Sequence, residues 1–224
     1  MPDSALEPTL VELADTTALD DLPEYAHRLA VRCAQLLPVT GAAVLLTGPS
    51  GRIAARAGEP AWIRFLLEPA LAGPAVDCCD TAAAITVADL RTTRRWPAFT
   101  EAALGHGITA VTALPLRHGD HRLGAVALHR SRSALPARTE HLAQLLSEAA
   151  SVGLRQWRER HSLRTALASA SVIEQATGVL AERGHITLDE ALHRLRGHAS
   201  RERLRLHATA RMVIGTLPPQ RHKA

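Results

Sequence analysis

The sequence predicts an α+β fold built on an antiparallel sheet, followed by a purely helical segment. Three observations carry this expectation. Apolar periodicity runs in the order helix, strands, helices, hairpin, long helix, which suits an antiparallel sheet rather than alternating βα units. No strand pattern occurs after Leu167. The charge balance also changes sign: residues 1–154 hold 13 Lys/Arg and 16 Asp/Glu, net −3, whereas residues 155–224 hold 13 and 6, net +7. A chain of 224 residues accommodates one large domain or two modest ones.

Residues 9–37 read as helical, with Leu29, Cys33, Leu36 and Leu37 on one face and Pro38 as the stop. Ala42–Leu46 and Ile53–Ala57 are strand-like runs around the turn Thr47–Gly51. Trp62–Leu71 is expected as a short helix, Ile85–Val87 as a brief strand and Pro97–His106 as another short helix. Ile108–Leu116 and Arg122–Arg130 flank His118-Gly119-Asp120-His121, the clearest hairpin pattern in the chain. Together these elements predict an α+β domain over residues 9–150. Arg138 to Leu167 contains no proline and is expected to form one linking helix, 138–167. Its stripe of Leu142, Leu145, Ala149 and Val152 is interrupted by Gln156 and Glu159, with Trp157 one position off. A two-helix dimer contact is expected there.

Three amphipathic helices follow. The first carries Ile173, Ala176 and Leu180 on one face and should end at Arg183-Gly184, with the glycine in the left-handed capping position. The second opens on a capping box, Thr187-Leu-Asp-Glu190, carries Leu188, Ala191, Leu192 and Leu195, and should close at Gly197. The third repeats Leu206, Ala210, Val213 and Leu217 before Pro218-Pro219. So small a bundle buries little surface, and it is expected to depend on the helix before it. Its other faces hold Arg183, Arg194, Arg196, Arg201, Arg203, Arg205 and Arg211. Arg201-Glu-Arg-Leu-Arg205 concentrates three bases around one turn, a pattern suited to phosphates and unpaired bases. Aromatic residues are 3% of the chain and absent from this segment, which argues against a base-stacking platform.

Several classes are set aside. No apolar run approaches the roughly 18 residues of a membrane span. The N-terminal MPDSALEPTL lacks a basic segment before an apolar run, so no signal peptide is expected. Cys33, Cys78 and Cys79 fit no disulfide framework, which suggests a reducing, cytoplasmic setting. Of the twelve histidines, His118 and His121 lie in a turn without a third ligand, and His193 and His198 are five apart. No zinc-hydrolase, nucleophile-elbow or phosphate-loop sequence occurs. No catalytic residue, metal site or cofactor is therefore expected.

Residues 9–150 resemble a GAF domain through Val87-Ala-Asp-Leu-Arg91, Arg95-Trp-Pro-Ala-Phe99, Gly107 to Arg117, and Leu123-Gly-Ala-Val-Ala-Leu128. The resemblance implies an antiparallel sheet of about six strands flanked by helices, frequent dimerisation, and a small-molecule pocket on one sheet face. A tetrapyrrole linked through cysteine is not expected, because Cys78-Cys79 lacks a neighbouring histidine. These cysteines read as small buried apolar groups.

Residues 163–217 resemble an ANTAR domain. The resemblance rests on Val172-Ile-Glu-Gln-Ala-Thr-Gly-Val-Leu-Ala-Glu-Arg183, on Leu188-Asp-Glu-Ala-Leu-His-Arg-Leu-Arg196, and on the third helix. It implies binding to paired RNA stem-loops and antitermination of transcription, in a homodimer whose GAF-like part is sensory. Three positions depart from the family pattern. Ala170-Ser171 replaces a basic residue, Thr177 replaces lysine, and Arg203 stands where asparagine is frequent. Ala176, Gly178, Ala191 and Leu195 are assigned to packing. The resemblance makes Gln175, Arg196 and Arg205 the RNA-contact candidates, with Thr177 and Arg203 as substituted positions. The alternative expectation is a ligand-sensing or protein-interaction module that has lost RNA binding.

Overall fold

The computed structural model describes residues 3–132 and 135–215. The chain divides into two compact units between Glu159 and Arg160.

In the first unit, helices α1 (Asp3–Ala14) and α2 (Leu22–Leu36) precede strands β1 (Gly41–Thr47) and β2 (Ile53–Glu59). Two 3₁₀ segments and α3 (Pro74–Thr81) lead to β3 (Ile85–Val87), then α4 (Pro97–Gly105). The hairpin β4 (Ala110–His118) and β5 (His121–Arg130) follows, and then α5 (Ala137–Gly184), which crosses the division. The sheet order is β2-β1-β5-β4-β3, antiparallel throughout. Among the described residues it has five strands, close to the six or so implied by the resemblance.

Strand alternation divides the apolar residues between two cores. On one face Val44, Leu46, Val126 and Leu128 meet Leu13, Tyr25, Leu29, Leu146 and Trp157. On the other, Ala43, Ala113, Ala125 and Ala127 make room for Ile63, Leu66, Cys78, Trp96 and Phe99. The Tyr25 hydroxyl donates to Leu13 O at 2.5 Å and Ala150 O at 3.3 Å, tying α1, α2 and α5 together. Gly153 permits this approach: a Cβ there would lie 2.2 Å from Leu13 O.

Three local expectations are corrected in this unit, and one helix, α3, was not anticipated. The helix expected over 9–37 is two helices. Thr17 donates to the Asp15 carboxylate, and Asp21 caps α2 by accepting from Glu24 N at 2.9 Å; such short polar side chains compete with a continuous helix. The helix expected over 62–71 is two 3₁₀ segments, Ala61–Leu67 and Pro69–Leu71, because Pro69 holds Glu68 extended. Helix α3 has only eight residues, too few for a visible period. In α5 the buried face is Thr139, Ala143, Leu146, Ala150, Leu154 and Trp157. Leu142, Leu145 and Ala149 flank that face half-buried, and Val152 is exposed. Alanines made the true face look weaker than its neighbour.

The second unit contains the end of α5, α6 (Leu188–Arg201) and α7 (Leu206–Gly215). The first of the three expected helices is thus not separate: it continues the linking helix without a break. Ala176, Leu195 and Ala210 are buried against one another, with Val172, Ile173, Leu180, Leu206, Val213 and Ile214 around them. Leu217 and Pro218-Pro219 lie outside the described residues.

Candidate nucleic-acid interface

The two turns of the helical unit are built alike. At the end of α5, Ile186 N donates to Ala181 O at 3.1 Å and His185 N to Glu182 O at 3.4 Å. At the end of α6, Leu204 N donates to Ala199 O at 2.9 Å and Arg203 N to Ser200 O at 3.2 Å. Each pair is the Schellman pattern, which needs a left-handed residue just past the helix. That residue is His185 (φ 48°) in the first and Arg203 (φ 54°) in the second. Gly184 therefore ends the helix without taking the left-handed position, and Gly197 lies inside α6, four residues before its end. The expected capping box half-forms: Thr187 Oγ1 accepts from Glu190 N at 3.2 Å, while the Glu190 carboxylate pairs with Arg194 at 2.7 Å.

This geometry sorts the candidate residues. Gln175 is exposed on α5. Thr177 is 6% exposed, and its hydroxyl donates to Ile173 O at 2.7 Å. Two residues apart is roughly 200° around a helix, so Gln175 and Thr177 point to nearly opposite sides. Arg196 is exposed on α6, one residue past buried Leu195. Arg203 and Arg205 are exposed on the α6–α7 turn, so the basic run 201–205 straddles a turn and does not lie along one helical turn. Among the described residues, none of these three arginine side chains has an ion pair or hydrogen bond, in contrast to Arg194. Ala176, Ala191 and Leu195 are buried as assigned, and Gly178 is half-buried. Sequence reasoning passed over the basic residues of α5 before Val172. The available signal was Arg164, which has no acidic residue three or four positions away on either side.

In the first unit, Cys78 and Cys79 are buried free thiols, pushed up by burial to about 12 and about 11. Such thiols are poor nucleophiles. The sheet face behind them is filled by side chains. His129 stands in that face, 1% exposed and 6.3 Å from the Phe99 ring. Burial pushes its pKa down to about 4. A separate cavity of about 360 Å³ lies where the β1–β2 and β4–β5 turns meet α3 and α5, lined by Thr47, Cys79, Asp80, His121, Arg122 and Arg158. Arg158 donates there to Thr47 O at 2.9 Å and Gly48 O at 3.3 Å, and is lowered by burial. Among the described residues no three His, Cys, Asp or Glu side chains could hold a metal. No helix among them is long and apolar enough to cross a membrane.

A five-stranded antiparallel sheet with a core on each face is thus followed in the chain by a basic helical unit. The GAF-domain family model matches residues 21–154, more than half the chain, and the ANTAR-domain model matches residues 161–214. The chain belongs to the GAF family and carries an ANTAR domain after it. A solved structure agrees in fold. A domain of a protein described as a two-component sensor histidine kinase, from Sinorhizobium meliloti, is 17% identical with a TM-score of 0.51. That match covers 65% of this chain and 98% of the other. The phycocyanobilin-bound GAF domain of a cyanobacterial phytochrome is 14% identical (TM-score 0.49, covering 70% and 97%). The GAF domain of a Coxiella burnetii phosphoenolpyruvate-protein phosphotransferase is also 14% identical (TM-score 0.49, covering 70% and 96%). No curated protein matches the chain.

Proposed function

We propose that this chain is a cytoplasmic RNA-binding regulator of transcription antitermination, with a GAF domain that senses a small molecule or serves as a dimerisation scaffold. The observation that carries the proposal is the set of exposed, unpartnered arginine side chains Arg196 on α6 and Arg203 and Arg205 on the α6–α7 turn. A charged group without a protein partner is available to a phosphate. Gln175 adds a neutral contact from α5. Thr177 is a substituted position whose hydroxyl is already committed within its own helix.

Homodimerisation fits the same helix. Leu163 and Leu167, four residues apart on α5, are 65% and 71% exposed. Pairing two chains presents two modules to two hairpins, which raises avidity without new contacts. The test is filter binding of the full chain to a tandem-hairpin RNA. Saturable binding that weakens with salt is expected, and no binding at low salt would remove the proposal.

The alternative, a module that has lost RNA binding, is favoured by the burial of Thr177 where the family pattern has lysine. Thr177→Lys separates the two. A small change in affinity is expected if the contact set has been rewired, and a gain from near zero would establish lost function.

A further inference from the structure

We propose that a crease between α5 and α7 binds the phosphate backbone of an RNA strand, as a site additional to the arginines of α6 and the α6–α7 turn. The inference rests on the RNA-binding reading above. The crease has a volume of about 380 Å³. From α5 it is lined by His161, Arg164, Thr165 and Ser169, and from α7 by His207 and Arg211, with Val172 in its floor. No acidic residue lines it.

Three features mark it as an anion site. First, the side chains of Arg164, His207 and Arg211 have no ion pair or hydrogen bond among the described residues, whereas Arg155 and Arg194 are each paired with a glutamate one turn away. Two unpaired guanidinium groups on facing helices offer forked donors that match phosphate oxygens. Second, the walls are held in place. Val172 and Leu206 pack in the small core, so the residues beside them, Ser169 on α5 and His207 on α7, sit on anchored turns. Third, the crease points toward a candidate contact. Gln175 lies eleven residues beyond Arg164, about three helical turns, and so falls on the same stripe of α5. A strand running along that stripe would pass from the crease to Gln175.

The test uses the full chain and the tandem-hairpin RNA, with affinity measured over a series of salt concentrations. Arg164→Ala/Arg211→Ala is expected to weaken binding about tenfold or more. It should also flatten the plot of log affinity against log salt by about one for each arginine. Arg164→Lys/Arg211→Lys is expected to keep most of the slope, because it keeps the charge. An alanine pair that stays helical but binds with unchanged affinity and slope would overturn the crease and leave the RNA-binding reading standing. A changed oligomeric state with unchanged RNA affinity would also overturn it, making this a protein contact. If the wild-type chain binds no RNA, the reading falls and the crease falls with it. Should the alanine pair lose helicity, Arg164→Gln/Arg211→Gln, which keeps the long stems, supplies the same readout.

Discussion

Replacing His129 with leucine should remove an acid sensitivity that lies inside the GAF core. In the folded protein the imidazole is buried beside Phe99 and the alanines of β5, and its pKa is about 4. In the unfolded chain a histidine titrates near 6.5. The folded pKa is depressed, so between these values the unfolded state holds a proton that the folded state lacks. Stability therefore falls as pH drops from about 6.5 toward 4 and is unaffected by this group above that range. At about 1.4 kcal/mol per pH unit, the loss between pH 7 and pH 5 is about 2 kcal/mol. Denaturant unfolding followed by tryptophan fluorescence is the assay. All three tryptophans (Trp62, Trp96 and Trp157) belong to this unit. The wild type should lose about 2 kcal/mol more than His129→Leu over those two pH units. Parallel pH dependences in the two proteins would refute the assignment of His129 as a buried neutral group.

Three further outcomes are expected. Leu195→Ala empties the largest position of the small core and should cost about 2–5 kcal/mol, enough to unfold α6 and α7. Circular dichroism would then show helix loss while tryptophan fluorescence stays unchanged. Arg203→Asn relieves a left-handed arginine and should stabilise the helical unit by about 0.5 kcal/mol while weakening RNA binding. Thermal melting and filter binding read the two effects separately, and a loss of stability would contradict the turn geometry. Leu163→Glu/Leu167→Glu adds charge to two exposed leucines and should shift a dimer toward monomer in sedimentation. An unchanged mass would place the dimer contact elsewhere.

Much of this architecture was legible because its signals are long or chemically explicit. The β4–β5 hairpin combines two apolar arms with a Gly-Asp turn, and the strands pair as expected, with Leu114 opposite Val126. The Thr187 cap is written directly in the residue types. What escaped reading has physical causes. Helix α3 is too short to display a period, and the buried stripe of α5 uses Ala143 and Ala150, which sequence patterns undervalue beside leucine. Glycine was expected in the left-handed position after α5, yet His185 takes it, since the hydrogen bonds of the turn fix the geometry whichever residue follows. At the candidate interface the arginine-rich turn was visible as composition. The crease of Arg164 and Arg211 was not, because it forms only when α7 folds back beside α5.

The central proposal is that the arginines of α6 and the α6–α7 turn hold RNA. Its most direct test is the affinity of Arg196→Ala/Arg203→Ala/Arg205→Ala for tandem-hairpin RNA, compared with the wild-type chain at matched salt. A triple variant that remains helical but loses about a thousandfold in affinity, at about tenfold per phosphate-contacting arginine, is the expected result. Wild-type affinity in that variant would contradict the proposal.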